Sequence, residues 1–193
     1  IIAVYDDIAD YILVKQGGKI NAVGTPDKPI VMTSEKEEPG AWGGIHICGR
    51  AHTNAEGGKG SSEIGGAVYG GNDDADNSGT LQYIRLEYTG FAFDEEHEAN
   101  GISFYGVGNG TIVDHCQAYK GSDDGFEFFG GSVNVSNLVA VSCSDDSFDW
   151  TEGWNGKGTN LVAYQEDKST LGYDCDCLME CDNNGSNNAA TPA

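Results

Sequence analysis

The chain has 193 residues, and its 38% of hydrophobic side chains is enough for the core of one folded domain or one array of repeats. A net charge of −21, with only 10 lysines and arginines, excludes the basic surface with which proteins bind nucleic acid or an anionic membrane. No apolar stretch is long enough to span a membrane, and 29 glycines beside 4 prolines favour short strands with tight turns over helices.

The N-terminal third predicts four strands, at residues 11–14, 19–24, 29–33 and 42–47, separated by turns that contain Gly or Pro. Residues 50–77 are rich in Gly and polar side chains and predict a lateral loop of about 28 residues. Loops of this length usually serve a function or have structure of their own.

Three aspartates, Asp73, Asp74 and Asp76, lie near the end of this loop. An EF-hand that begins at Asp74 fails, because its position 12 is occupied by Arg85. A calcium loop of another kind is the alternative, and a solvated turn is favoured over it. The charged segment 94–98 is likewise interpreted as a solvated loop rather than a zinc site.

The second half of the chain contains an imperfect repeat of 22 to 24 residues. The segment 123–128 returns at 145–150, 138–140 returns at 161–163, and 101–106 matches 125–130. Apolar residues alternate with a period of 2 inside each repeat, which is typical of strands. The pattern predicts an all-β, single-stranded, right-handed parallel β-helix over residues 1–181, followed by an Asn-rich tail over 182–193.

This repeat predicts two inward columns of apolar residues, Ile102–Phe126–Phe148 and Phe104–Phe128–Trp150. Neighbours on a strand alternate between faces, so Glu127 and Asp149 point outward and lie directly over one another. The predicted acidic face comprises seven residues: Asp123, Asp124, Glu127, Asp145, Asp146, Asp149 and Glu152.

Carboxylates stacked at the spacing of neighbouring strands, about 4.8 Å, repel each other. A hard cation that takes about 6–8 oxygen ligands turns this repulsion into coordination, so calcium is the predicted cofactor. The alternative is that the aspartates accept hydrogen bonds from turn amides, as in Asx-turns. Both roles are compatible if one Asp of each pair caps a turn.

Six cysteines, an even number in a Gly-, Asn- and Asp-rich chain, favour an oxidising, extracellular or cell-surface location and up to three disulfides. The sequence does not give the pairing among Cys48, Cys116, Cys143, Cys175, Cys177 and Cys181. A thiolate metal site at the last three is the less favoured alternative, because no His lies near them. Trp154 is the predicted exposed aromatic residue for stacking on a sugar, whereas Trp42 and Trp150 have a core pattern.

Several segments together resemble a group of exported bacterial β-helix proteins, many of them labelled lipoproteins and most without an assigned function. The resemblance is carried by residues 24–26, 29–34, 42–45, 69–73, 76–79, 123–131, 145–150 and 182–185. It implies a pectin-lyase-like right-handed β-helix and no particular activity. A narrower likeness is to calcium-dependent pectate lyases, in which a D-D-G-F-[DE] turn supplies calcium ligands. Asp123, Asp124 and Glu127 match that turn, and Lys157 is the nearest candidate for the base that such lyases require.

We therefore expect a non-enzymatic, extracellular or cell-surface calcium-binding β-helix with a structural or adhesive role. Neither end of the chain has the pattern of an amphipathic capping helix, so a homo-oligomer or end-to-end fibre is the expected assembly. The alternative is a calcium-dependent lyase or a binding protein that acts on acidic polysaccharide.

Overall fold

The computed structural model describes residues 2–3, 10–94 and 97–191. In these residues a four-residue helix, α1 (Lys168–Leu171), and one 3₁₀ turn (Glu56–Gly58) accompany strands that are mostly short. The strands are β1 (Ile2–Ala3), β2 (Ile12–Val14), β3 (Ile20–Val23), β4 (Ile30–Ser34), β5 (Ile45–Cys48), β6 (Gly60–Ser61), β7 (Val68–Tyr69), β8 (Gly79–Glu87), β9 (Ala92–Asp94), β10 (His97–Glu98), β11 (Ile102–Tyr105), β12 (Ile112–Tyr119), β13 (Phe126–Phe129), β14 (Asn134–Val141), β15 (Phe148–Thr151), β16 (Gly158–Tyr164) and β17 (Glu180–Cys181).

The strands form the coils of a parallel β-helix. One sheet, here called the first face, has the order β17-β15-β13-β11-β5-β2, and every pairing in it is parallel. The other large sheet has the order β1-β4-β8-β12-β14-β16, with β3 also paired to β8. The predicted all-β parallel β-helix is confirmed.

Each long strand of the second sheet turns a corner at one left-handed residue. Tyr83, His115, Asn137 and Asn160 have φ between 51° and 56° and occupy equivalent places in β8, β12, β14 and β16. They divide each strand into a second face and a third face, which β3 and β4 form separately in the first coil. The corners support one another through stacked Tyr83 and His115 rings, 4.6 Å apart, and an Asn160-to-Asn137 side-chain hydrogen bond of 3.0 Å.

The register places the predicted apolar columns inside the coils. Ile102 pairs with Phe126 and Phe126 with Phe148, while Phe104 pairs with Phe128 and Phe128 with Trp150. The Phe104 and Phe128 rings stack with centroids 5.0 Å apart. Burial of each such side chain stabilises the fold by about 1.5–3 kcal/mol, so these stacks hold successive coils together.

The lateral loop at residues 50–77 has structure of its own. Its strands β6 and β7 form an antiparallel pair, and Ala67 and Tyr69 pack on outward side chains of the first face. Those side chains, Cys48, Tyr105 and Phe129, form a second small core outside the coils. The loop therefore covers part of a face that would otherwise be open to solvent.

The cysteines are free thiols, so the predicted disulfides are not present in this structure. Cys48, Cys116 and Cys143 are buried, whereas Cys177 and Cys181 are exposed and Cys175 is half-buried. Cys116 and Cys143 point into the main core and Cys48 belongs to the small one. No helix among the described residues is long and apolar enough to cross a membrane.

Candidate metal site

One column of side chains, Asn100, Asp124 and Asp146, lies in the turns that precede the strands of the first face. The Asp124 amide donates to Asn100 Oδ1 at 3.1 Å, the Asp146 amide to Asp124 Oδ1 at 2.9 Å, and the Cys177 amide to Asp146 Oδ1 at 2.8 Å. Each side chain thus accepts a hydrogen bond from a backbone amide of the next coil, so that one Asp of each pair caps a turn, as the capping alternative predicted.

A second column stands on the outer side of the first face. Ser103, Glu127, Asp149 and Glu180 are register partners on β11, β13, β15 and β17, and their strand neighbours Phe126, Phe128 and Trp150 face the core. The predicted vertical pair of Glu127 and Asp149 is confirmed, and oxygens of the two carboxyl groups lie within 4.8 Å of each other. Glu127 is nevertheless only 9% exposed, because surrounding segments cover this face.

The two columns form the floor of an acidic cleft of about 270 Å³. Nine carboxyl side chains and one amide line it: Glu63, Glu98, Asn100, Asp123, Asp124, Glu127, Asp145, Asp146, Asp149 and Glu180. Three sets of three have ligand oxygens that all lie within 4.8 Å of one another: Asp123–Asp124–Asp145, Asp124–Glu127–Asp149 and Asp146–Asp149–Glu180. The sets share Asp124 and Asp149 and so continue from coil to coil.

Burial and mutual repulsion raise the pKa of several of these carboxyl groups in the metal-free protein. Burial raises the pKa of Asp123 to about 8, that of Glu63 to about 7 and that of Asp149 to about 6. Burial raises the pKa of Asp124 and of Glu127 well above the ordinary range of a carboxyl group, and the neighbouring carboxylates raise it further. Protons or a bound cation would relieve the repulsion among these groups at neutral pH.

The oxygens present fit a hard divalent cation. Asp124 and Asp146 each use Oδ1 for a backbone amide, which leaves Oδ2 for a ligand. The carboxylates of Asp149 and Glu127 add further oxygens in the same sets. An all-oxygen donor set of this size is the kind that Ca²⁺ prefers, whereas Zn²⁺ favours nitrogen and sulfur.

Glu152, which the sequence placed on the same acidic face, lies elsewhere. Its carboxylate accepts hydrogen bonds from Tyr69 Oη, at 2.9 and 3.0 Å, and from Thr53 Oγ1. Both donors belong to the lateral loop, so Glu152 anchors this loop to the coils. The expectation failed because the residue follows the end of β15, where the chain has left the strand column.

The aspartates of the lateral loop hold that loop together. Asp76 Oδ2 accepts from the Arg50 amide at 3.0 Å, and Asp74 Oδ1 contacts the His52 amide and ring at 3.1 and 2.8 Å. Asp73 is exposed, and its amide donates to the Arg50 carbonyl. None of the three belongs to a cluster with metal-ligand spacing among the described residues.

The structure packs Trp154 against the core and places Lys157 outside the acidic cleft. Trp154 packs on the core, with its ring 4.6 Å from that of Phe128 and its Nε1 donating to the Val133 carbonyl at 3.2 Å. It is therefore not an exposed platform for a sugar. Lys157 is exposed and lines a separate cleft with Asn109 and Asn134, which shares no residue with the acidic one.

Four lining residues were missed by the sequence interpretation: Glu63, Glu98, Asn100 and Glu180. The offset of 24 that equates Gly101 with Gly125 also equates Asn100 with Asp124, so that signal was present. Glu98 lies on β10, whose antiparallel pairing with β9 replaces the predicted solvated loop; Glu95 and Glu96 lie outside the described residues. Glu63 and Glu180 lie outside the regular repeat, and no pattern marks them.

The geometry agrees with the comparison to known families. A family model described as a pectate-lyase-like β-helix domain matches residues 1–193. No curated protein and no solved structure gave a match. The chain thus belongs to the family of pectate-lyase-like β-helix domains.

Proposed function

We propose that the acidic cleft binds calcium and that the protein is a non-enzymatic extracellular or cell-surface β-helix, structural or adhesive, that assembles end to end. The observation that carries the proposal is the run of three overlapping carboxylate sets, each with ligand oxygens within 4.8 Å of one another. Uncompensated charges at such distances repel strongly, and a divalent cation is their usual counterpart.

The ligands come from successive coils. Asp124 and Glu127 belong to one coil, Asp149 to the next, and Glu180 follows on β17. A cation among them would bridge strands that otherwise bring like charges together, and Glu63 of the lateral loop would be held to the same site. Calcium binding would therefore stabilise the stack of coils, which suits a structural role.

A calcium-dependent lyase or glycan-binding protein for acidic polysaccharide is the second candidate, favoured by the family to which the chain belongs. Its difficulty is the proton-abstracting base. None of the residues that line the acidic cleft is basic, and Lys157 lines another cleft. We therefore place this candidate second.

Isothermal titration calorimetry with CaCl₂ tests the metal site. Asp149→Asn removes a charged ligand shared by two of the carboxylate sets, and we expect calcium affinity to fall by about tenfold or more, since a charge-assisted ligand contact contributes about 1.5–3 kcal/mol. Asp27→Asn is the matched control, because Asp27 is an exposed acidic residue in a turn of the first coil, outside the cleft, and it should bind calcium as the native protein does.

Absence of calcium-dependent heat, together with an unchanged melting temperature at millimolar calcium, would refute the proposal. For the lyase candidate, polyuronates are incubated with the protein and calcium, and unsaturated products are followed by ultraviolet absorbance. We expect none. Product formation that disappears in Lys157→Ala would favour the lyase instead.

A further inference from the structure

His52 joins the lateral loop to the coils through both of its ring nitrogens. Nδ1 lies 2.8 Å from Asp74 Oδ1, near the end of the lateral loop, and Nε2 lies 2.9 Å from the carbonyl oxygen of Gly153. Gly153 belongs to the turn after β15, so the ring connects the loop with a turn 101 residues further along the chain. The His52 side chain is 13% exposed, so little water competes for these two contacts.

Both partners of the His52 ring accept hydrogen bonds. A backbone carbonyl has no proton to donate. Burial would raise the pKa of Asp74, but hydrogen bonds from the His52 ring and amide outweigh it and lower that pKa, so Asp74 is a carboxylate at neutral pH. A neutral imidazole donates from one nitrogen only, which would leave the lone pair of the other nitrogen facing an oxygen. The two contacts therefore require an imidazolium with a proton on each nitrogen.

We infer that His52, as an imidazolium, holds the lateral loop against the turn after β15, and that loss of one ring proton weakens this junction. The hydrogen bond to Asp74 is the stronger of the two, because it joins two ionised groups. The proton on Nε2 is therefore the one that leaves as the pH rises, and the hydrogen bond to Gly153 is lost with it. Histidine side chains change charge between about pH 5 and 8, so the junction responds in that interval. This inference goes beyond the proposed calcium site and does not rest on it.

The other charged groups around this junction have partners of their own. The carboxylate of Glu152 accepts hydrogen bonds from two hydroxyl groups of the lateral loop, and Arg50 lies 4.0 Å from Asp76. Asp74 is the carboxylate that contacts the His52 ring in the described part of the chain, and its charge stabilises the imidazolium. Because the contacts of Glu152 and Arg50 do not depend on this ring, loss of the proton loosens the junction and leaves the rest of the loop in place.

Two other histidines of the chain have different surroundings and serve as references. His46 Nε2 lies 2.7 Å from the Gly43 carbonyl, and its buried Nδ1 has no hydrogen-bond partner among the described residues. Burial lowers the pKa of His46 to about 4, despite the contact with Gly43, so its ring is neutral with the proton on Nε2. His115 contacts a carboxylate through Nδ1 alone, and its side chain is 43% exposed.

Nitrogen NMR of the histidine rings tests the protonation state, because it distinguishes the imidazolium from each neutral tautomer. At about pH 6, His52 should be an imidazolium, whereas His46 should be neutral with its proton on Nε2. At higher pH, the neutral form of His52 should keep its proton on Nδ1, beside Asp74. A His52 ring that is neutral at about pH 6, or that keeps its proton on Nε2 when neutral, would overturn the inference.

Hydrogen exchange of the Asn54 amide measures the junction itself, since this amide donates to the Glu152 carbonyl at 3.1 Å. Its exchange rate, divided by the intrinsic rate at each pH, should rise at least several-fold from about pH 5 to about pH 8. The Val135 amide, which donates to the Lys157 carbonyl, reports the coils outside the junction and corrects for any global change in stability. Measurement in calcium and in chelator separates the junction from titration of the acidic cleft. Equal pH dependence of the two amides under both conditions would contradict the inference.

Three variants assign the effect to the His52 ring. Asp74→Asn keeps an oxygen for the His52 amide but removes the charge that stabilises the imidazolium, so the Asn54 amide should exchange several-fold faster at about pH 6. Asp73→Asn is the matched control, because it makes the same change at the neighbouring exposed aspartate, and it should behave like the native protein. His52→Gln cannot become charged, so the pH dependence of the Asn54 amide should disappear. Persistence of that dependence in His52→Gln, or equal effects of the two aspartate variants, would overturn the inference.

Discussion

Asp124 shows how one side chain serves both the backbone and the cleft. Its Oδ1 accepts the Asp146 amide, and its carboxyl group belongs to two of the three carboxylate sets. In the coil before it, the equivalent place is taken by Asn100, whose amide oxygen accepts the Asp124 amide in the same way. The capping role therefore requires an oxygen and not a charge, whereas cation binding requires the charge.

This division gives a prediction for Asp124→Asn. The variant keeps the oxygen that accepts the Asp146 amide and removes a buried carboxyl group repelled by its neighbours, so in chelator it should be at least as stable as the native protein. Asp124→Ala loses the hydrogen bond and should be less stable by about 0.5–1.5 kcal/mol or more. Denaturant unfolding in chelator measures both differences.

Unfolding measured with calcium tests the other role of Asp124, which is cation binding. The native protein should gain stability when calcium is added, and Asp124→Asn should gain less, since it offers one charge fewer. An Asp124→Asn variant that is strongly destabilised in chelator would contradict the view that the oxygen alone supports the turn.

Stacked aromatic rings connect neighbouring strands in the core. The Phe128 ring lies between those of Phe104 and Trp154, at 5.0 and 4.6 Å, and its side chain is 1% exposed. The stack thus connects β11, β13 and the segment after β15. Its loss would leave a cavity that spans three coils, because a rigid parallel ladder closes such a space poorly.

We therefore predict that Phe128→Ala lowers the free energy of unfolding by about 3–5 kcal/mol. The control is Phe93→Ala on β9, whose side chain is 46% exposed and which should change stability by less than about 1 kcal/mol. Equilibrium denaturant unfolding of the native protein and the two variants measures these free energies. Equal effects of the two substitutions would show that the ring stack does not stabilise the coils.

At the scale of the whole molecule, the acidic charge determines how stability depends on pH. The net charge is −21, and nine carboxyl groups meet in one partly buried cleft. Asp123, Glu63 and Asp149 have pKa values of about 8, 7 and 6 in the folded protein, whereas ordinary carboxyl groups in an unfolded chain titrate near about pH 4. The folded protein therefore binds more protons than the unfolded chain across this interval.

It follows that the metal-free protein loses stability as the pH rises from about 4 to about 8. We expect the melting temperature in chelator to fall on the order of 5 °C or more across this interval, as a loss of about 2 kcal/mol would produce in a chain of this length. Saturating calcium should reduce or abolish the fall, since the cation replaces the protons. A melting temperature in chelator that rises with pH over the same interval would contradict this account of the cleft.

Much of the fold and about half of the cleft followed from the sequence. The offsets of 22 to 24 residues correctly paired Phe126 with Phe148 and Glu127 with Asp149. They did so because neighbouring coils contact each other through the same local pattern, so sequence spacing and spatial register coincide. The acidic turn pairs were predictable for the same reason, whereas the structure identified Asp124 and Asp146 as the capping residue of each pair.

Only the tertiary structure decided what lies against the outer surface of the coils. Glu63 of the lateral loop and Glu98 of β10 line the cleft, and Glu127 is buried. Glu152 instead contacts Tyr69 of the lateral loop. Those segments do not repeat, so no period in the sequence reports where they pack. The sequence by itself determined the stack of coils, because that stack is built from local repeats, and non-local packing decided which acids share a site.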